Sequence, residues 1–153
     1  FAGRGLNRSQ RTHENEDGMA SILKLWAEME NGLLLANLID FDMVYGHRND
    51  VPGFARAIED FDGWLPELFA RMRPGDLLMI SADHGCDPTT AGSDHTREYV
   101  PILAFEPQMC EAVDLGTRTT FADAGATLAE FFGLGRLKAG RSFLSSLDLQ
   151  SPE

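Results

Sequence analysis

Three short apolar runs, separated by amphipathic stretches, constrain the fold of this chain more than any other feature. The runs are residues 32–40, 77–83 and 100–105. Apolar runs of this length are typical of strands that are buried on both faces of a sheet. Apolar residues spaced three and four apart predict helices between them. The predicted helices are residues 19–30, 51–72 and 120–132. Strands that alternate with amphipathic helices predict an α/β fold with a mostly parallel sheet flanked by helices.

The ends of these elements carry their own signals. Asp17 precedes the first helix and is a candidate cap for its start. Pro66 lies inside the second helical pattern, which predicts a kink or the start of a new segment there. Two glycines follow the last helical pattern and end it. Residues 1–17 are polar and predict a loop or linker, and residues 145–153 predict a frayed tail.

Charge and composition exclude several classes of partner. A formal net charge of −11 argues against nucleic acid, because phosphate backbones are bound mainly through Lys and Arg. No run approaches the roughly 20 apolar residues of a membrane span, so we expect no membrane association. The two cysteines do not suggest a disulfide framework, and we expect a reduced, cytoplasmic setting. The chain of 153 residues begins at Phe1, and we expect it to be a piece of a longer protein.

Acidic and histidine side chains collect after two of the predicted strands. Ligands of open α/β sheets bind beyond the carboxyl ends of strands. The first cluster offers Asp40, Asp42 and His47. The second cluster offers Asp83, His84 and, eleven residues later, His95. If the two strands are neighbours, these side chains converge on one crevice.

Carboxylate oxygens and imidazole nitrogens without a thiolate cluster suit Mn²⁺, Zn²⁺ or Fe²⁺ better than Ca²⁺. Five or six such ligands exceed the needs of one tetrahedral site, so a two-metal site is the natural interpretation. Pairs of metals stabilise the attacking and leaving oxygens in phosphoryl transfer. One Asp-His pair after a strand is more often an ordinary loop feature. Two pairs together favour the metal interpretation, although spacing leaves the choice between Asp40 and Asp42 open.

Two longer motifs then identify a family. "NLIDFDMVYGHRND" (residues 37–50) and "ADHGCDPTTAGSDHTRE" (residues 82–98) closely resemble the phosphopentomutase family of the alkaline phosphatase superfamily. "FAGRG" at the start, "DGM", "RTTFADAGATLAEFFG" and "GRSFL" are similar to that family as well. The resemblance therefore covers nearly the whole chain. It implies a partial alkaline-phosphatase-like core, the C-terminal part of the catalytic domain, without the family's cap domain.

The resemblance also assigns roles to individual residues. It implies that Asp83 and His84 bind one Mn²⁺, and that Asp42, His47 and His95 bind the other, with Zn²⁺ or another divalent metal as an alternative. Three further residues would orient the histidines or balance charge, or would be plain surface ion-pairing groups. These are Arg48, Asp94 and Arg97.

The family interconverts the 1-phosphates and 5-phosphates of ribose and deoxyribose, with a sugar bisphosphate as intermediate and activator. The family's phosphorylated threonine belongs to an N-terminal segment, and no threonine of this chain occupies its motif. The resemblance therefore implies that this chain supplies metal ligands but no nucleophile, and that alone it is inactive. The missing N-terminal half, or a second copy of the chain, would cover its apolar faces.

Two other functions stay open. One is a phosphatase or phosphodiesterase of the same superfamily, and the other is a non-catalytic metal-binding fragment. "DHTRE" together with "VYGHR" favours the mutase. Cys86 departs from the family pattern, which usually has Asn there. A small residue in a tolerant loop position is the favoured interpretation of Cys86, and attraction of a softer metal is the other.

Overall fold

The computed structural model describes residues 3–147, which divide into two compact units. The first unit comprises Phe1–Arg71 and His84–Glu98, and the second comprises Met72–Asp83 and Tyr99–Glu153. Each unit has its own buried apolar residues. Leu23, Ala57 and Leu68 are buried in the first, whereas Ala129, Phe143 and Leu147 are buried in the second. Within residues 3–147, no helix is long and apolar enough to cross a membrane.

The first helix of the first unit, α1, spans Asn15–Glu28 and confirms the helix predicted for residues 19–30. It begins earlier than predicted, because the polar residues before Met19 already adopt helical backbone. Glu14 occupies the capping position without a side-chain hydrogen bond. Asp17, the predicted cap, lies in the first turn instead, where its Oδ2 accepts a hydrogen bond from the His13 N–H at 3.1 Å.

The second helix, α2, spans Val51–Phe69 and confirms most of the helix predicted for residues 51–72. Asp50 caps it, because its Oδ1 accepts a hydrogen bond from the Gly53 N–H at 2.9 Å. The helix continues through Pro66, so no second segment begins there. Its apolar face carries Phe54 and Phe61, whose rings contact the Phe41 ring edge-to-face at 6.0 and 6.3 Å. These aromatic contacts pack α2 against the segment that carries the first acidic cluster.

The strand predicted for residues 32–40 was wrong. Residues 33–39 form neither helix nor strand, and no described strand pairs with them. Leu33 and Leu35 are 58% and 70% exposed, which is the opposite of burial on both faces. A strand needs a neighbour to accept its backbone hydrogen bonds. Local apolar composition alone cannot supply that neighbour.

The second unit contains the two strands that the structure describes. They are β1, Leu78–Ser81, and β2, Ile102–Phe105, and they confirm the strands predicted for residues 77–83 and 100–105. Their pairing is antiparallel, with Leu78 opposite Phe105 and Ser81 opposite Ile102. The prediction of a mostly parallel sheet is therefore not confirmed by residues 3–147. The connection between the strands passes through His84–Glu98 of the first unit and contains no crossover helix, so the second strand returns antiparallel to the first.

The last helix, α3, spans Ala122–Phe131 and lies inside the range predicted for it. Gly133 follows with φ of 65°, the left-handed backbone that commonly ends a helix. A short 3₁₀-helix spans Leu144–Ser146, and Leu147 after it is only 2% exposed. Of residues 145–147, predicted as the start of a frayed tail, the apolar Leu147 is therefore buried in the unit, whereas Ser145 and Ser146 are exposed. The rest of that predicted tail lies outside the described residues.

Candidate metal centre

The first acidic cluster lies on two short, irregular helices rather than after a strand. Asp42 belongs to a five-residue π-helix, Phe41–Tyr45, and His47 to the 3₁₀-helix Gly46–Arg48 that follows directly. π-helical turns occur frequently at functional sites. Gly46 is required at the junction, since a Cβ there would lie 2.9 Å from the Phe41 carbonyl oxygen and would collide with the Cys86 thiol. The tight turn places the side chains of Asp42 and His47 next to each other.

His84 and His95 lie in a loop, His84–Glu98, that is closed at its base. Gly85 and Thr96 form an antiparallel bridge in which the Thr96 N–H donates to the Gly85 carbonyl at 3.1 Å. The Thr96 hydroxyl accepts a hydrogen bond from the Asp87 N–H at 2.7 Å. Each histidine directly precedes one residue of the bridge. Their rings stack, with centroids 3.7 Å apart and an interplanar angle of 22°.

A hydrogen-bonded turn at Asp87 forms the tip of the same loop. Asp87 Oδ1 accepts hydrogen bonds from the Thr89 N–H at 2.8 Å and the Thr89 hydroxyl at 2.6 Å. Asp87 Oδ2 accepts one from the Thr90 hydroxyl at 3.2 Å. The hydrogen bonds from Thr89 lower the pKa of the Asp87 carboxyl, because they stabilise its charged form. The loop therefore holds its shape through its own side chains.

Asp42, His47 and His95 converge in the first unit. One ligand atom from each lies within 4.8 Å of the others. His47 Nε2 lies 3.3 Å from Asp42 Oδ2, and His95 Nε2 lies 3.3 Å from Asp42 Oδ1. The His47 and His95 ring centroids are 4.9 Å apart. Two imidazole nitrogens thus face the two oxygens of one carboxylate.

The tautomer of His47 follows from its other ring nitrogen. His47 Nδ1 hydrogen-bonds the Ser93 carbonyl oxygen, which can only accept, so Nδ1 carries the hydrogen. In the neutral ring, Nε2 then presents a lone pair toward Asp42. His84 Nδ1 likewise donates to the Gly85 carbonyl at 3.1 Å. Histidines that bind metals typically donate their second ring N–H in this way.

Asp42 tests whether these residues fit a cation. Its Oδ1 is buried and, among residues 3–147, has no hydrogen-bond partner. The 3.3 Å approach of His95 Nε2 lacks the geometry of a hydrogen bond, so the oxygen stays unsatisfied. A buried acceptor without a donor is costly. A divalent cation between the carboxylate and the imidazole nitrogens would satisfy Oδ1 and the ring lone pairs together. The residues present therefore fit such an ion.

The structure distinguishes Asp42 from Asp40, which spacing could not. Asp40 Oδ2 accepts a hydrogen bond from the Asn15 N–H at 2.7 Å, and Asn15 Oδ1 accepts one from the Asp40 N–H at 3.0 Å. Both residues are buried. This reciprocal pair ties the first turn of α1 to the start of the π-helix. Asp40 is therefore occupied in holding the fold, and Asp42 is the carboxylate that reaches the histidines.

Comparison with known proteins identifies the family of this chain. The metalloenzyme superfamily model matches residues 5–136. The chain belongs to the metalloenzyme superfamily. The name of this family and the cluster of Asp42, His47 and His95 both indicate a divalent metal.

Curated relatives share about half of the residues. A protein of Caldanaerobacter subterraneus subsp. tengcongensis named phosphopentomutase is 51% identical over 150 residues, 98% of this chain and 38% of its own length. One of Syntrophotalea carbinolica with the same name is 50% identical over 147 residues, 96% of this chain and 37% of its own length. One of Carboxydothermus hydrogenoformans, also so named, is 54% identical over 134 residues, 88% of this chain and 34% of its own length. The chain thus spans well under half the length of these relatives.

The other predicted site residues are placed differently. The His84 ring stacks on His95, but His84 is not one of the three residues whose ligand atoms converge. Asp83 is the last residue of a segment of the second unit, and its part in a metal site stays a prediction. Within residues 3–147, the remaining three make no side-chain hydrogen bond or ion pair, and all are exposed, so their roles stay predictions too. These three are Arg48, Asp94 and Arg97.

Cys86 lies beside the cluster and packs onto Gly46. Burial raises the pKa of the Cys86 thiol, and the negative charge of Asp42 raises it further. Its contact with Gly46 supports the interpretation of Cys86 as a small packing residue.

Asn49 is a residue of the site that the sequence pattern did not single out. Its side chain spans from the 3₁₀-helix of His47 to the loop of His95. Asn15, the partner of Asp40, was likewise hidden inside a segment predicted as a linker. A signal for Asn49 does exist in "HRND", since Asn tolerates left-handed backbone and directly precedes a helix cap. Its long-range partners leave no mark in the sequence.

Proposed function

We propose that this chain is the metal-binding part of the catalytic core of a phosphopentomutase. The reaction moves a phosphoryl group between the 1 and 5 oxygens of ribose or deoxyribose. The cluster of Asp42, His47 and His95 carries the proposal, because its geometry suits a cation and Asp42 Oδ1 has no other described partner. About 50% identity to proteins named phosphopentomutase supports the substrate class. A partial alkaline-phosphatase-like core, with its cap domain outside this chain, is the architecture that we propose.

In this proposal Asp42, His47 and His95 hold one metal, and Asp83 with His84 hold a second. Mn²⁺ suits the mixed oxygen and nitrogen donors, with Zn²⁺ as the main competitor. When bound, the two ions lower the pKa of a sugar hydroxyl and stabilise the transferring phosphoryl group.

The chain's own residues prepare the site. The Ser93 carbonyl fixes the His47 tautomer by accepting a hydrogen bond from Nδ1, so that the lone pair of Nε2 is free to bind a metal. Asp42 supplies negative charge that offsets the cation. Arg48, Asp94 and Arg97 are proposed to orient the histidines or to balance charge.

The nucleophile and the grip on the sugar are proposed to come from outside this chain, from the remaining portion of the enzyme or a second copy. A sugar bisphosphate is the proposed activator. The chain alone then binds metal but turns over no substrate. Cys86 and Cys110 are both free thiols, which supports the proposed cytoplasmic location.

Metal content tests the site directly. After purification in excess Mn²⁺ and removal of loose ions, we expect close to two ions per chain. His95→Ala should lose one, whereas His13→Ala, which changes an exposed histidine before α1, should lose none. No retained metal in the unaltered chain, measured by elemental analysis, would refute the assignment.

Activity is tested by transplanting the chain. We would replace the 150 aligned residues of the Caldanaerobacter protein with this chain and measure conversion of ribose 1-phosphate to ribose 5-phosphate. Conversion that is lost in the His95→Ala hybrid supports the mutase. Release of inorganic phosphate without conversion would favour the phosphatase alternative. A folded, metal-loaded hybrid without either reaction would favour the non-catalytic alternative.

A further inference from the structure

Asn49 has an unusual backbone. Its φ of 53° and ψ of 31° place it in the left-handed region, and among residues 3–147 it is the only non-glycine residue with a positive φ. This conformation costs energy for most side chains, and Asn tolerates it better than most. Asn49 ends the 3₁₀-helix Gly46–Arg48 and directly precedes Asp50, the cap of α2. This strained residue lies two positions after His47.

The side-chain amide nitrogen of Asn49 donates two hydrogen bonds to the facing loop. Its Nδ2 donates to the Pro88 carbonyl at 3.1 Å and to the Thr90 carbonyl at 2.9 Å. Both acceptors are backbone oxygens, so both amide hydrogens are used and the amide orientation is unambiguous. Only a primary amide on this short stem offers two such donors from a left-handed residue. Asp, of the same shape, would present oxygens to oxygens.

These two hydrogen bonds connect the parts that carry the metal ligands. On one side Asn49 continues the helix of His47. On the other side Pro88 and Thr90 belong to the hydrogen-bonded turn at Asp87, in the loop that also carries His95. The separation between the two histidines therefore depends on how that loop is held against the helix.

We propose that Asn49 is a positioning residue for the metal centre. It holds the His84–Glu98 loop against the 3₁₀-helix so that His47 Nε2 and His95 Nε2 both face Asp42. This inference rests on the proposed metal site, because positioning has meaning only if the cluster binds an ion. Loss of partners that orient metal ligands typically lowers metal affinity about 10- to 100-fold. A residue that serves stability alone would not change affinity in a chain that stays folded.

Two variants separate these roles. Asn49→Gly keeps the left-handed backbone and removes both hydrogen bonds. Asn49→Asp keeps the size and removes the donors. Asn7→Gly, which alters an exposed asparagine in the loop before α1, is the matched control. With two variants of different character, failure of one to fold leaves the other as the test.

The measurements are Mn²⁺ affinity by calorimetry and the visible spectrum of the Co²⁺-loaded chain, both at a temperature where the metal-free variants are folded. We expect affinity to fall at least about 10-fold in Asn49→Gly and Asn49→Asp, with a changed Co²⁺ spectrum, and the Asn7→Gly control to match the unaltered chain. Unchanged affinity and spectrum in a folded variant would overturn the positioning role and leave the metal site standing. Absence of metal binding by the unaltered chain would overturn both proposals.

Discussion

Asp123 is the most informative residue to perturb in the second unit. Its buried carboxylate accepts hydrogen bonds from Arg118 Nε at 2.8 Å and from the Arg141 N–H at 2.8 Å. Asp123→Asn removes the charge. The Asn side chain has only one oxygen, so one of the two donors then faces its amide NH2 group instead of an acceptor. A hydrogen bond to a charged group contributes about 1.5–3 kcal/mol, and an unmatched buried donor costs about 1–3 kcal/mol. Because Arg118 is partly exposed, we expect the lower half of the sum of these two ranges, about 2.5–4 kcal/mol.

The same network predicts a pH dependence. The Arg141 N–H, and next the Arg118 guanidinium, hold the pKa of Asp123 below its usual range. The charge therefore stabilises the fold fully above the unfolded pKa of about 3.9, and this contribution is lost as pH falls through the lower native pKa. The difference in unfolding free energy between the unaltered chain and Asp123→Asn should be constant near neutral pH. It should shrink below about pH 4.

Amide hydrogen exchange along α3 measures this change where it occurs. Both tryptophans, Trp26 and Trp64, lie in the first unit, so their fluorescence serves as an internal control for it. Glu130→Gln, an exposed acidic residue of the same helix, is the matched substitution. Equal protection of α3 in Asp123→Asn and the unaltered chain at pH 7 would refute the reasoning. So would a difference that grows toward acid pH.

Three further substitutions test local contacts. Thr127→Val should destabilise the second unit by about 1–3 kcal/mol in hydrogen exchange, because the Phe143 N–H loses its acceptor at 3.1 Å, whereas Thr127→Ser should not. Asp50→Ala should lower the urea midpoint of tryptophan fluorescence, at about 1 kcal/mol for the lost cap at Gly53, and Asp50→Ser should restore most of it. Gly46→Ala should weaken Mn²⁺ binding by calorimetry, because its Cβ would lie 2.9 Å from a backbone carbonyl in the turn that joins two ligands. An unchanged value in any of these measurements would contradict the contact that it tests.

The helices could be predicted because their signals are local. Phe54, Phe61 and Leu68 share a face by spacing alone, and the helix that they predict is α2. Strand pairing is not local, and here prediction failed. "GLLLANLID" has the composition of a buried strand, yet no described strand pairs with it, and Leu33 and Leu35 are exposed. The strands β1 and β2 were predicted as strands, but the alternation of strands and helices predicted a mostly parallel sheet, whereas these two strands pair antiparallel.

The site, like the fold, could be predicted only in part. The family resemblance, not residue type or spacing, predicted that Asp42, His47 and His95 belong together, and the structure brings them together. The elements that carry them differ from the prediction, since the predicted strand is absent and irregular helices carry two of the three residues. What separates Asp42 from Asp40 is a hydrogen-bonded partner 25 residues away, which no local pattern reveals.

The contacts that assemble the three converging residues all lie within the first unit. Asp42 and His47 come from Phe1–Arg71, and His95 comes from His84–Glu98. The Ser93 carbonyl that fixes the His47 tautomer and the Gly85–Thr96 bridge that closes the loop belong to the same unit. The contacts that position these three side chains for a cation therefore all belong to the first unit. Asp123→Asn, which loosens the second unit, should then leave the affinity of that ion unchanged. A parallel loss of affinity would mean that the ligand loop depends on the strands at its two ends.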